Sequence, residues 1–142
     1  MLRLIVPVML LVGAVLPPGG SFLDDDLLPG EGAIEALAAA GLTTGCRPDI
    51  FCPHDALTRG EMATFLGRAL QLEPGSTLLH FSDLDPSAFY TGYVNALAAE
   101  GVISGELDGS FQPDRPVSRA EMAAFLDRAL ELPGAGYQAA FV

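Results

Sequence analysis

Two arginines stand where a helix would ordinarily place an acid. Arg59 in "TRGEMATFLGRALQL" (58–72) and Arg119 in "SRAEMAAFLDRALEL" (118–132) each follow a hydroxyl residue, Thr58 or Ser118, and precede a glutamate, Glu61 or Glu121. A hydroxyl followed three residues on by glutamate makes a capping box: the hydroxyl accepts from the third N–H, and the glutamate reaches back to the N–H of the capping residue. Each arginine therefore falls in a first helical turn, at the positive end of the helix dipole, where a cation costs about 0.3–1 kcal/mol. Repetition of the misfit at one register points to a use. Free helix N–H groups joined by a guanidinium form a local anion site, and the planar fork suits a carboxylate best. The alternative is that each arginine pairs with a neighbouring Asp or Glu.

The other chemistry-bearing residues narrow the function by exclusion. Cys46 and Cys52, the only cysteines, lie in "GCRPDIFCP" (45–53), a spacing wrong for a C-x-x-C redox or zinc pair; in an exported chain they read as a local disulfide. His54 and His80 are the only histidines, and neither G-x-S-x-G nor H-E-x-x-H occurs, so no catalytic residues, metal ligands or cofactor are expected. The cluster Asp24, Asp25, Asp26 and Glu31 lacks the spacing of a calcium-binding EF-hand loop and reads as a solvated N-terminal loop. Eighteen acidic residues against 7 Lys+Arg give a net charge of -11, which repels phosphate backbones and argues against nucleic acid.

The elements that must carry these residues are written twice. Arg119 lies 60 residues after Arg59, and the same offset relates Leu37 to Leu97, Gly41 to Gly101, Gly45 to Gly105, Phe51 to Phe111, Phe65 to Phe125 and Arg68 to Arg128. The chain is a tandem repeat, each unit reading as helix, loop, helix. The second helix of the first unit has Met62, Phe65, Leu66, Ala69 and Leu70 on one apolar face, the stripe of a core helix. The first helix of the second unit is expected to start at Asp85 as N-cap with Pro86 next, and to stop at Gly101; its counterpart, about Gly32 to Ala40, lacks the aromatics Phe89, Tyr90 and Tyr93. Between helices, Asp108-Gly109 makes a tight turn that delivers Phe111 inward. The sister loop has no turn glycine there, and a Cys46–Cys52 link would do the same job by removing about 2 kcal/mol of unfolded-state entropy.

The domain reading follows. Residues 1–21, one cation (Arg3) and an apolar run from Leu4 to Leu16, read as a signal peptide or an N-terminal anchor, so a membrane enters only if this segment is uncleaved. Residues 22–72 are repeat 1, 73–80 a linker, 81–132 repeat 2, and 133–142 a tail in which Phe141 falls where a truncated third repeat would begin. The expected fold class is all-α, with two complete helix-loop-helix units.

The pattern F-x-D, A-L-A-A-x-G, F-x-P and [ST]-R-x-E-M-A-x-F-L-x-R-A-L-x-L, over about residues 22–132, resembles the S-layer homology (SLH) repeat, in the variant with a Cys-bearing loop. That resemblance implies a non-catalytic module, usually of three repeats, that anchors exported proteins at the cell wall or cell surface by binding a secondary cell-wall polysaccharide or peptidoglycan-linked glycan, often pyruvylated. It implies that Arg59 and Arg119 meet the acidic glycan, that Asp24 and Asp83 help frame the grooves, and that further SLH repeats are partners. Residue 60 departs from the pattern, Gly in place of Ala. The competing reading is a degenerate structural or protein-interaction module with both arginines tied up in salt bridges.

Overall fold

The computed structural model describes residues 22–75 and 81–131. Residues 1–21, His80 and the tail 133–142, with the expectations placed on them, lie outside the described residues. The fold is all-α: α1 (Glu31–Ala39), α2 (Arg59–Ala69), α3 (Thr91–Ala99) and α4 (Arg119–Leu130), with no strand among the described residues. No described helix is long and apolar enough to cross a membrane.

The two kinds of helix begin differently. α2 and α4 start at full capping boxes, with Thr58 Oγ1 accepting from Glu61 N (3.2 Å) and Ser118 Oγ from Glu121 N (3.2 Å). α1 and α3 have no side-chain cap. The expected Asp85 start of α3 is corrected: its carboxylate accepts from Ser87 N (2.8 Å) and Ser87 Oγ (2.7 Å) in a local turn, and the helix begins six residues later at Thr91. A short side chain that can bond the backbone two residues on competes with helix initiation. The far ends behave as expected. Gly101 turns left-handed at φ 72°, so that Val102 N reaches Leu97 O (2.9 Å) and Gly101 N reaches Ala98 O (3.0 Å), a glycine-terminated stop.

Packing crosses the repeat boundary. α2, from the first repeat, lies against α3 of the second, and the core gathers Met62, Ala63 and Leu66 of α2, Val94 and Leu97 of α3, Leu84, Val102, Ile103 and Phe111 of the second-repeat loops, and Phe125 of α4. Leu97 and Phe111 are fully buried, each a contribution of about 2 kcal/mol. The expected apolar face of α2 holds for Met62 and Leu66, but Ala69 is exposed and Arg59, Gly60, Thr64 and Gly67 are also buried, so α2 is enclosed on several sides. α4, nearly the same sequence, buries only Phe125 and leaves Leu126 and Leu130 exposed.

Gly60 now has a reason. A Cβ there would stand 2.8 Å from Tyr90 Cδ1 and 3.3 Å from Pro113 O, so glycine is what lets α3 and the second loop close on the start of α2. The acidic N-terminal loop also departs from expectation. Asp25 is fully buried, at the register of core residue Leu84, and neither carboxylate oxygen has a hydrogen-bond partner among the described residues.

Candidate functional site

The start of α2 is built into the second repeat by its backbone. Arg59 N donates to Arg115 O (2.9 Å) and Gly60 N to Pro113 O (2.8 Å), while Val117 N donates to Leu57 O (2.9 Å). The first-turn N–H groups that would have received an anion are thus occupied by carbonyls of the loop before α4.

The Arg59 side chain follows the same path inward and is 2% exposed. Nε donates to Phe111 O (2.8 Å), Nη2 to Ser104 O (3.0 Å) and Nη1 to Glu121 Oε1. The guanidinium carbon lies 4.5 Å from the centroid of the Phe111 ring and 5.5 Å from that of Phe125, within the range of cation–π attraction. Burial lowers the pKa of Arg59, and the charge of Glu121 opposes that shift. The carboxylate that this arginine meets is therefore an internal one, from the next repeat.

Glu121 is shared. Oε2 caps Ser118 N (2.9 Å) and takes Arg115 Nη1 (3.1 Å); Oε1 takes Arg59 and Arg115 Nη2 (2.6 Å). Burial would raise its pKa, but hydrogen bonds from Arg115 and Ser118 and the charge of Arg59 outweigh it and hold the carboxyl down at about 2. Arg115 is further held by Gln112 Oε1 (2.8 Å) and Glu106 (3.1 Å), and Arg128 Nη1 approaches Val102 O at 3.4 Å. Arg59, Arg115 and Arg128 border one cavity of about 250 Å³ with Glu106 and Glu121.

Arg119, the repeat-2 counterpart of Arg59, is exposed, and its side chain has no hydrogen bond or ion pair with any described residue. The two motif arginines are thus in opposite states. Asp83 and Asp24 are equivalent to each other in detail. Asp83 accepts from Phe111 N (2.8 Å) and Gln112 N (2.7 Å), and Asp24 from Phe51 N (2.7 Å) and Cys52 N (2.8 Å). Gln112 and Cys52 both sit at left-handed φ, 57° and 61°, a conformation that costs an ordinary residue about 1–2 kcal/mol and that the carboxylates hold in place. Burial would raise the pKa of Asp24, but the two N–H donors lower it on balance. Asp83 thereby fixes the loop whose Phe111 carbonyl receives Arg59.

Cys46 and Cys52 form a disulfide with Cα atoms 6.0 Å apart. His54 is exposed, and no group of three or more His, Cys, Asp or Glu that could hold a metal occurs among the described residues. Sequence reading missed Arg115 and Arg128 at this cavity. The available signal was a charge reversal at one register, Asp55 in repeat 1 against Arg115 in repeat 2, with Glu106 standing where Cys46 would be.

Comparison with known proteins agrees with the doubled architecture. Residues 25–63 and 80–123 each match the family model of the S-layer homology domain. The chain is 34% identical over 104 residues to a "Surface layer protein" of Brevibacillus choshinensis, covering 70% of this chain and 9% of that protein. It is 34% identical over 104 residues to a "Middle cell wall protein" of Brevibacillus brevis, covering 70% and 10%. With a "Cellulosome-anchoring protein" of Acetivibrio thermocellus it shares 31% identity over 104 residues, 70% of this chain and 23% of that one. The chain thus spans between 9% and 23% of the length of these relatives.

Proposed function

Because the chain belongs to the S-layer homology domain family, we propose that it is a non-catalytic module holding an exported protein at the cell wall or cell surface by binding an acidic secondary cell-wall polysaccharide or peptidoglycan-linked glycan. The names of its relatives, a surface layer protein and a cellulosome-anchoring protein, support the anchoring part. The carboxylate part rests on one observation: in a chain of net charge -11 with 7 cations, three of them, Arg59, Arg115 and Arg128, border a single cavity. Guanidinium groups gathered against an acidic background suit an acidic sugar, such as one bearing a pyruvyl ketal. In this reading Arg119 and Arg128 contact the glycan. Arg59 holds the cavity floor, Asp83 shapes the loop whose Phe111 carbonyl holds Arg59, and Asp24 shapes the equivalent loop of a separate first-repeat groove.

The test is retention of the full chain on purified cell walls with and without their secondary polymer. The proposal expects binding only to intact walls, reduced by Arg119→Gln or Arg128→Gln. A second reading, a structural or protein-interaction module that reads no glycan, is favoured by the complete internal pairing of Arg59. It expects equal and negligible retention on both wall preparations.

A further inference from the structure

The cavity beside Arg59 has a twin in the first repeat. Every residue that borders it, other than Arg59, has its counterpart 60 residues earlier on a larger groove of about 580 Å³. There Thr44, Asp55, Glu61, Phe65 and Arg68 stand for Ser104, Arg115, Glu121, Phe125 and Arg128. The acceptors that hold Arg59 recur as well. Glu61 Oε2 takes Thr58 N (2.8 Å) and Oγ1 (2.9 Å), while Oε1, the atom that receives Arg59 in Glu121, takes no hydrogen bond from a described residue. The carbonyls of Thr44 and Phe51 hold the register of Ser104 and Phe111, and no described backbone N–H donates to either. Replacement of Arg115 by Asp55 makes the first-repeat socket more acidic than the one already filled.

The same chain carries the matching plug. Arg119 opens α4 as Arg59 opens α2, and it is exposed without a described partner. Behind it Met122 and Leu126, which correspond to the buried Met62 and Leu66, are half-buried and exposed, and in their own chain they border the same open groove from its α4 side. α1 is the mirror case: Ile34 is 9% exposed and Leu37 half-buried, where Val94 and Leu97 of α3 are at 0%. The bulk on the two faces is complementary. Where α2 has Gly60 and Gly67 under Tyr90 and Tyr93, α4 has Ala120 and Asp127, and α1 has Gly30 and Ala33. A Cβ at Gly30 would meet nothing within 4 Å.

We propose that the first-repeat groove is a guanidinium socket filled by Arg119 of a second copy of this chain, with α4 of one copy seated on α1 of the next. The contact is head to tail. A contact of this kind closes when two copies satisfy each other and otherwise runs on into a longer assembly. The proposal does not rest on glycan binding; it uses the same Arg119, so the two engagements exclude each other, and it is tested without polysaccharide.

The experiment is sedimentation equilibrium of the full chain over a wide concentration range. The expected result is a mass that rises with concentration, with Arg119→Gln and Glu61→Gln each weakening association about tenfold or more. Glutamine still caps Thr58, so Glu61→Gln leaves the helix start intact. Charge reversal gives the decisive arm: Arg119→Glu alone and Glu61→Arg alone each associate poorly, and their mixture associates again, because each supplies the half that the other lacks. A single-chain mass at every concentration overturns the proposal. So does association unchanged by Arg119→Gln and Glu61→Gln, or a mixture as weak as its components.

Discussion

Glu121 joins the two repeats: one oxygen receives Arg59 from the first, while the other caps its own helix at Ser118. The cation that looked misplaced on the α2 dipole is neutralised by a carboxylate, two carbonyls and two aromatic faces of the neighbouring unit. Arg59→Gln leaves Glu121 with Arg115 as its one remaining cation, and the Phe111 and Ser104 carbonyls short of donors. The expected loss is about 3 kcal/mol, the usual result of removing one partner of a buried pair. Arg119→Gln, at an exposed position, should change stability by no more than about 0.5 kcal/mol while lowering wall retention. Denaturant unfolding of both variants checks this, and equal losses would contradict the asymmetry.

The same carboxylate sets an acid limit. Its neighbours hold the Glu121 carboxyl at about 2 in the folded chain, against an ordinary value of 4.5, so its contribution is present in full above about pH 4.5 and is lost as pH falls through about 2. The loss is on the order of 2–3 kcal/mol, since one unit is about 1.4 kcal/mol and the pair is partly screened. Asp25 works in the opposite sense. Burial, then the charge of Glu35, raises its pKa, so the folded chain favours its protonated form and loses that advantage as pH rises through the raised value. Asp25→Leu, which copies the Leu84 register, should therefore stabilise at neutral pH and gain little in acid. Thermal unfolding of wild type, Glu121→Gln and Asp25→Leu across pH 2–7 separates the two groups.

The Cys46–Cys52 link holds a loop in which Asp49 and Cys52 are both left-handed, the task that Gly109 shares in the sister loop. Reduction, or Cys46→Ser with Cys52→Ser, should cost about 2 kcal/mol by the loop-entropy argument. The cost should fall on the first repeat. Hydrogen exchange should show faster opening around residues 45–53, with α3 and its loop little changed. Uniform loss of protection through α3 would refute a local role.

Local signals in the sequence were sufficient for the helices, because capping boxes, stop glycines and an apolar stripe act within one turn. They were sufficient for the Asp108-Gly109 turn and the disulfide for the same reason. The partner of Arg59 was not legible, since Glu121 is 62 residues away and either repeat's own acids were equally available to it. Nor was the burial of Asp25, whose acidic neighbours gave a solvated reading. Asp85 misled because one side chain can serve a cap or a turn, and only the packed Thr91, whose Oγ1 bonds Asp85 O (2.5 Å), shows which it serves. The likeness of α2 and α4 hid the main asymmetry. One is enclosed by the unit after it, and the other faces outward.

Gly60 gives the sharpest test of that enclosure, because helix propensity and packing pull in opposite directions there. Alanine should favour an isolated helix by about 0.8–1 kcal/mol. In the folded chain its Cβ would stand 2.8 Å from the Tyr90 ring and 3.3 Å from the Pro113 carbonyl, which also accepts from Gly60 N. The ring can shift a few tenths of an ångström, whereas the carbonyl is fixed by its hydrogen bond, and overpacking of this kind costs about 1–3 kcal/mol. Gly60→Ala should therefore destabilise by about 1 kcal/mol net. With Tyr90→Ala already in place the ring is gone, and the same change should become neutral or stabilising. At the outward-facing register of α4 only propensity remains, so Ala120→Gly should cost about 1 kcal/mol. A double-mutant cycle on Gly60 and Tyr90 with no coupling would mean that α3 does not bear on the start of α2, and the enclosure of Arg59 would lose its basis.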